Sequence, residues 1–547
     1  MSPTKLFSRF LIILLLIPIA SCIKSEDFDF DKLKQIEWNP TLAVPLVSSD
    51  LSIMDMIKQT GDSSNFTVDG QGFVTLVYKD KLFSIKPMEN FTIPTFSKSF
   101  THTISVAEAG LLAANGSLDI DIPIEIKLTP ADTVRIDSML YTKGNLSFAI
   151  SGNITNSGMV MLSVPEAKKA NVGIYKIITP ISNGTTNIDL SGYKFDLTKV
   201  PGKPSTIMMS TRIVLKHNPS NPLTGKQITI SVTQNTESIE SVSGYLGKFH
   251  LIDGQKKTSI NLFNNAFSIG KFYLVNPYFI FTFTNSIGLP VKMNFIEITG
   301  KSNMPGSTPV NIVGKPGIPS NFTLGIPTYT EPVKVTQVRI EGVTAGKQIS
   351  DLLNELKPGS LSYSFYSLTN PGGTAPGGIP AINFLRDDSK LDIDVEFGLP
   401  LYGAVENFAI QDTFDFKFDN IDEIESLLFR TIIENEFPLE AKMQVIFTDG
   451  NFNRLDSLVT STVPTDQIII PAGEVNFVTG ALTNAKTKTT DFLYSKARIT
   501  KITGAEKILV RGLLNTSGAS SNTNIKIYNT YKMKVKLAAQ AEIKKKI

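Results

Sequence analysis

Leu118-Asp119-Ile120-Asp121-Ile122-Pro123-Ile124-Glu125-Ile126-Lys127-Leu128 decides the fold class. Every even position is aliphatic and every odd one is polar or proline. A period of two puts successive side chains on opposite faces of an extended chain, so this is a half-buried β-strand. Pro123 cannot donate a ladder hydrogen bond, which predicts a sheet edge or a break there. Near the C-terminus Tyr531, Met533, Val535 and Leu537 alternate with Lys532, Lys534 and Lys536 in the same way. Lysines on an exposed face also discourage edge-to-edge pairing. Helical patterns are few. Ser350 is expected to cap a segment with Leu352, Leu353 and Leu356 that stops at Pro358-Gly359. Ser49 or Asp50 is expected to cap a short one through Leu51, Met54 and Ile57. Strands and helices do not alternate regularly, which argues against a parallel βαβ build.

An internal repeat sets the module size. Asn285 to Gly300 reads NSIGLPVKMNFIEITG, and Asn435 to Gly450 reads NEFPLEAKMQVIFTDG. Asn, Leu289/Leu439, Lys292-Met293/Lys442-Met443, Ile296/Ile446 and Gly coincide without gaps. A fainter copy, NITNSGMVMLSV, starts at Asn153. Each follows an apolar run and reads as strand, Asn-containing turn, strand, here taken as hairpins. The spacing suits antiparallel sandwiches. The expectation is an all-β chain of several Ig-like β-sandwich modules in tandem, with few short helices. Thr233–Ser241 and the Gly/Pro run 370–378 read as linkers. The expected division is a leader over 1–21, an acidic tether and docking segment over 22–50, and a β-rich region over 51–110. Sandwich modules then follow at 111–245, 246–380 and 381–547.

The chain of 547 residues is 41% hydrophobic and 19% charged, enough for large cores and too long for one. Removing Lys5 and Arg9 with a leader leaves 51 basic against 50 acidic residues. Such a balance creates no long-range field for nucleic acid. No stretch past the leader approaches the 18 or so apolar residues of a membrane-spanning helix.

Residues 1–22 read MSPTKLFSRFLIILLLIPIASC, a short basic start and then an apolar stretch ending in Ile19-Ala20-Ser21-Cys22. Cys22 is the only cysteine. The pattern resembles the lipobox of bacterial lipoproteins. The resemblance implies cleavage before Cys22, acylation of that residue, and a membrane partner reached through its lipid. Glu26, Asp27, Asp29 and Asp31 follow at once, similar to the surface-export tract of some Gram-negative lipoproteins. It implies an outer-membrane, cell-surface location. Trp38, the only tryptophan, is expected to plug a packing gap.

Catalytic patterns are sparse. His102, His217 and His250 lie far apart and in no zinc-type spacing. Gly342–Gln348 is one residue short of a phosphate loop and has Gln348 where a hydroxyl should bind magnesium. Asp392, Asp394 and Glu396 alternate with Ile393 and Val395, as on a solvated strand face. Asp412, Asp415, Asp419 and Asp422 lack EF-hand spacing. No catalytic, metal or cofactor residue is assigned, and lipidation at Cys22 is the only site. The function expected is a non-enzymatic binding or scaffold protein with a glycan or protein partner. The alternatives are a surface glycan hydrolase and an accessory lipoprotein of an outer-membrane uptake complex.

Overall fold

The computed structural model describes residues 37–38, 41–52, 65–129, 131, 133–154, 158–252, 254–260, 271–314, 317–341, 349, 352–353, 358–373, 383–416, 423–462, 467–518 and 523–546. The expected leader, Cys22, the acidic tract and Gly342–Gln348 lie outside them. Among the described residues no helix is long and apolar enough to cross a membrane.

Strand pairing defines a module that occurs three times. The inner module takes its eight main strands in chain order from Phe96–Thr103, Ser117–Lys127, Arg135–Gly152, Gly158–Lys169, Val172–Ile178, Gly184–Asp189, Thr206–Lys216 and Gln227–Tyr245, and the short Lys194–Asp196 pairs with both the third and the fourth. The first pairs with the eighth, the eighth with the third and the third with the sixth. The second pairs with the seventh, the seventh with the fourth and the fourth with the fifth. Two four-stranded antiparallel layers of order 1-8-3-6 and 2-7-4-5 make a jelly roll. The Ig-like expectation is corrected here, because an immunoglobulin sandwich divides its strands differently. Ile120, Ile122, Ile124 and Ile126 face between the layers, and Pro123 lies on the second strand, at a sheet edge.

The same order recurs twice. In the middle module Val74–Ile85, Leu391–Pro400, Tyr278–Asn285 and Lys334–Glu341 form the first layer. Gln255–Ser259, Pro358–Thr369, Val291–Ser302 and the short pieces Val310–Asn311 and Phe322–Thr323 form the second. In the outer module Thr41–Ser52, Lys532–Ile543, Ile424–Asn435 and Lys486–Ser495 make one layer. Phe408–Asp415, Lys507–Thr516, Leu439–Thr448, Arg454–Ser457 and Ile468–Ile470 make the other.

The modules are nested and not in tandem. The outer module opens with Thr41–Ser52 and the middle one with Val74–Ile85. The inner module then runs to completion from Phe96 to Tyr245 before the middle and then the outer module are finished. Each inserted module thus occupies the connection between the first and second strands of its host. Residues 51–110 are therefore no separate region. The boundary expected near 380 also falls, because Leu391–Pro400 pairs with Tyr278–Asn285 and Val74–Ile85 in the middle module. Thr233–Ser241 lies inside the long strand Gln227–Tyr245, where register shifts between Thr236 and Ser241 bend it. Asn370 is buried and donates to the Gly247 and Asn383 oxygens, so the start of the Gly/Pro run is an anchored loop. Ser49, Asp50 and Leu51 sit in the strand Thr41–Ser52, while Met54 and Ile57 lie outside the described residues. Ile349, Leu352 and Leu353 are helical and buried, while Ser350 and Leu356 lie outside the described residues.

The repeat occupies equivalent places, but as arches and not hairpins. Tyr278–Asn285 and Val291–Ser302 lie in opposite layers, as do Ile424–Asn435 and Leu439–Thr448. Asn285 and Asn435 are fully buried at the crossing. The Ile287 N–H donates to Asn285 Oδ1 at 2.9 Å, and the Phe437 N–H to Asn435 Oδ1 at 2.9 Å. Nδ2 of Asn285 donates to the Gly325 carbonyl, and that of Asn435 to those of Phe437, Leu439 and Pro471. The amide thus satisfies backbone groups that the chain leaves unpaired as it changes layers. Asn153 follows the third strand of the inner module and accepts from the Gln227 N–H, but it is exposed.

Candidate functional site at the free end of the stack

The pairings at the junctions fix an end-to-end order. Ser241–Gly244, at the end of the inner module's last strand, pairs with Asn383–Arg386 from the middle module's last connection. One step down, Tyr402–Gly403 pairs with Ile525–Lys526 from the corresponding connection of the outer module. Outer, middle and inner modules therefore follow in line. In the outer and middle modules, the end carrying the first-to-second connection is covered by the inserted module. In the inner module that connection holds no further module, and among the described residues that end is free.

A short helix stands there in place of a module. Ser105 caps Val106–Asn115: its hydroxyl accepts from the Glu108 N–H while Glu108 Oε2 accepts from the Ser105 N–H at 2.8 Å. His102 Nε2 lies 3.0 Å from the other Glu108 oxygen. The Ser105 N–H, with the Ser105 hydroxyl and His102, holds the Glu108 carboxyl below its usual range against a smaller opposing effect of burial. Gly116 ends the helix at φ +74°, a left-handed conformation that glycine adopts without strain. Leu112 is buried and ties the helix down, whereas Val106 is 78% and Leu111 53% exposed.

A cavity of about 300 Å³ lies between this helix and the loop from His217 to Thr224. The small residues Ala109, Gly110 and Ala113 form one wall, and Pro222 and Leu223 the other. His217, Asn218, Asn221 and Thr224 supply polar groups. Backbone bonds hold the frame: the His217 N–H donates to the Gly116 carbonyl and the Gly225 N–H to that of Ile104. Such a pocket can take an apolar group and orient it with a few hydrogen bonds.

The other sequence candidates are structural. His250 Nδ1 lies 2.7 Å from the Ser367 carbonyl, at the junction of inner and middle modules. Asp392 is nearly buried and not a solvated residue. It pairs with Lys81 and Lys390, each at 2.9 Å, and accepts from the Ser84 hydroxyl. Burial alone would raise its pKa, but those three donors outweigh it and hold the carboxyl far below the usual range. Glu396 pairs with Lys79, and Asp415 with Lys507. Asp419 and Asp422 lie outside the described residues. Among the described residues no group of three or more His, Cys, Asp or Glu side chains is placed to hold a metal ion. Sequence reading set His102 and His217 apart, yet the fold brings both to the free end.

No protein-family model and no curated protein matches this chain. Solved structures share only faint likeness. One, described as a secreted protein from Parabacteroides distasonis, is 15% identical with TM-score 0.28 over 54% of this chain and 82% of its own. The VP2 subviral particle of infectious bursal disease virus is 10% identical with TM-score 0.15, over 76% of this chain and 74% of its own. A triple jelly roll protein of an archaeal virus is 10% identical with TM-score 0.11, over 85% and 95%. These scores carry no argument about function.

Proposed function

We propose that this protein is a lipid-anchored, cell-surface binding protein that holds the free end of its inner module away from the membrane. Lipidation of Cys22 would root the chain, and its first described long strand, Thr41–Ser52, belongs to the outer module at the opposite end of the stack. The observation that carries the reading is the uncovered end of the inner module, with its cavity and the exposed Val106 and Leu111. The facing walls are aliphatic, and no Phe, Tyr or Trp ring lines the pocket. Stacking on aromatic rings is a usual way to hold a sugar, so the pocket suits an apolar side chain of a protein partner better than a glycan.

A photoreactive residue at Leu111 tests this on intact cells. One dominant cross-linked partner is expected, and Ala109→Trp, which fills the pocket, should abolish it. An unchanged cross-link in that variant, or none in the parent, would refute the reading. The anchor is tested separately: labelled palmitate should enter the parent protein and not Cys22→Ala.

A further inference from the structure

The third strands of the middle and outer modules align through their buried asparagines, so residues can be matched at an offset of 150. In the middle module Phe279, Phe281, Phe295 and Phe397 fill the space between the layers. Ring centroids are 4.9 Å apart for Phe281 and Phe295 and 4.6 Å for Phe279 and Phe397. In the outer module Phe429 stands where Phe279 does, but Thr431 replaces Phe281 and Val445 replaces Phe295. Phe279 pairs with Phe397 in the middle module, and Phe429 pairs with Ala539 in the outer one. At these matched positions the outer core has three aromatic rings fewer.

The outer module is hollow at that place. A cavity of about 260 Å³ is lined by Phe429, Thr431, Val445, Phe447 and Leu537, among other apolar residues. Thr431 is the one polar residue of the lining, and its hydroxyl donates to the Thr490 carbonyl. An apolar cavity of roughly 150 Å³ stays dry and takes up benzene, so this one has room for a longer guest. Leu458 and Phe492 border both the cavity and a polar cleft of about 450 Å³ that carries Lys488, Asp491 and Arg498. Beside the cavity, Tyr494 is fully buried, its ring in edge contact with Phe429 and Phe447, and its hydroxyl has no hydrogen-bond partner among the described residues.

We propose that the outer module binds a single-chain amphiphile, its alkyl chain in the cavity lined by Thr431 and Val445 and its polar head in the adjoining cleft. An apolar slot that shares Leu458 and Phe492 with an adjoining polar cleft matches a molecule with one hydrocarbon chain and one polar end. The site is independent of the free end of the inner module.

Calorimetric titration of the full chain with dodecanoate tests it. Saturable binding at one site with a negative heat-capacity change is expected. Thr431→Phe and Val445→Phe, which restore the middle module's residues on opposite layers, should each weaken it at least about tenfold. Leu111→Ala, at the far end of the stack, should leave it unchanged. No saturable binding, or undiminished binding in both filled variants, overturns the proposal. Should a filled variant misfold, hydrogen exchange on the parent protein decides. Dodecanoate must protect Ile424–Asn435 and Lys486–Ser495, and protection confined to other modules overturns the assignment.

Discussion

Replacing the three crossing asparagines by alanine should cost stability in a fixed order. Asn435 makes four hydrogen bonds through a fully buried side chain. Each such bond is worth about 1 kcal/mol net, and a buried N–H left without a partner costs about 1–3 kcal/mol. Asn435→Ala strands the Phe437 N–H and takes the amide donor from the Leu439 and Pro471 carbonyls, while the Phe437 carbonyl keeps the Gly473 N–H, so a loss of about 3–4 kcal/mol is expected. Asn285 makes two bonds from an equally buried position, for a loss of about 2 kcal/mol by the same reckoning. Asn153 is exposed and accepts one bond, from the Gln227 N–H. Water can replace it, and the cost should stay below about 1 kcal/mol. For a module of this size, 1 kcal/mol moves a thermal midpoint by about 2–4 °C. Scanning calorimetry should thus show the outer module's transition fall by roughly 10 °C in Asn435→Ala, with smaller falls for the middle module in Asn285→Ala. Asn435→Asp should be no better than alanine, because it sets a carboxylate against three carbonyls. Equal effects at Asn153 and Asn435, or a loss below about 1 kcal/mol at Asn435, would refute the capping role.

Three further outcomes follow from the pairings. Deleting residues up to Ser52 should expose the edge of Lys532–Ile543, so hydrogen exchange there should quicken while the inner module stays protected; likewise a fragment beginning at 381 should not unfold cooperatively. Asp392→Asn should destabilise the middle module by about 2 kcal/mol at neutral pH. Because the folded carboxyl titrates well below its usual value, its stabilisation is complete above about pH 4 and fades as the pH drops further. The parent and variant urea midpoints should therefore converge in acid, and a constant gap would count against the ion pairs. Gly158→Ala should cost about 1–3 kcal/mol, since φ is +145° and a Cβ would sit 1.9 Å from the Val214 carbonyl oxygen; an unchanged thermal midpoint would contradict the strain.

The strand content and the repeat were legible because alternation and the Asn/Lys-Met spacing are local signals. Whether two strands pair or face each other across a core leaves the same alternation, so the arches at Asn285 and Asn435 read as hairpins. The nesting was illegible for a different reason. Thr41–Ser52 finds its partner almost a whole chain away and Val74–Ile85 its layer partner more than half a chain away, and no local pattern encodes such distances. Thr233–Ser241 looked like a linker because a bent, bulged strand carries polar residues where its ladder is irregular. The free end was hidden because His102, at the end of the strand Phe96–Thr103, and His217, just past Thr206–Lys216, are brought together only by the jelly-roll order. The hollow core did leave a trace in the aligned repeat, in Val445 opposite Phe295.

Nesting also dictates an order of assembly. The inner module holds all its strands between Phe96 and Tyr245 and can close as soon as they exist. The middle module must wait for Leu391–Pro400, and the outer one for Lys532–Ile543, the last long strand of the chain. Loop-closure entropy opposes joining segments so far apart. Each completed insert draws its own ends together, so the next closure spans a short gap. Until then Thr41–Ser52 lacks its partner and Val74–Ile85 has only its short pairing with Asn65–Val68, so both are open to wrong pairing. A substitution that slows the inner module should therefore delay the two that surround it, although it touches neither.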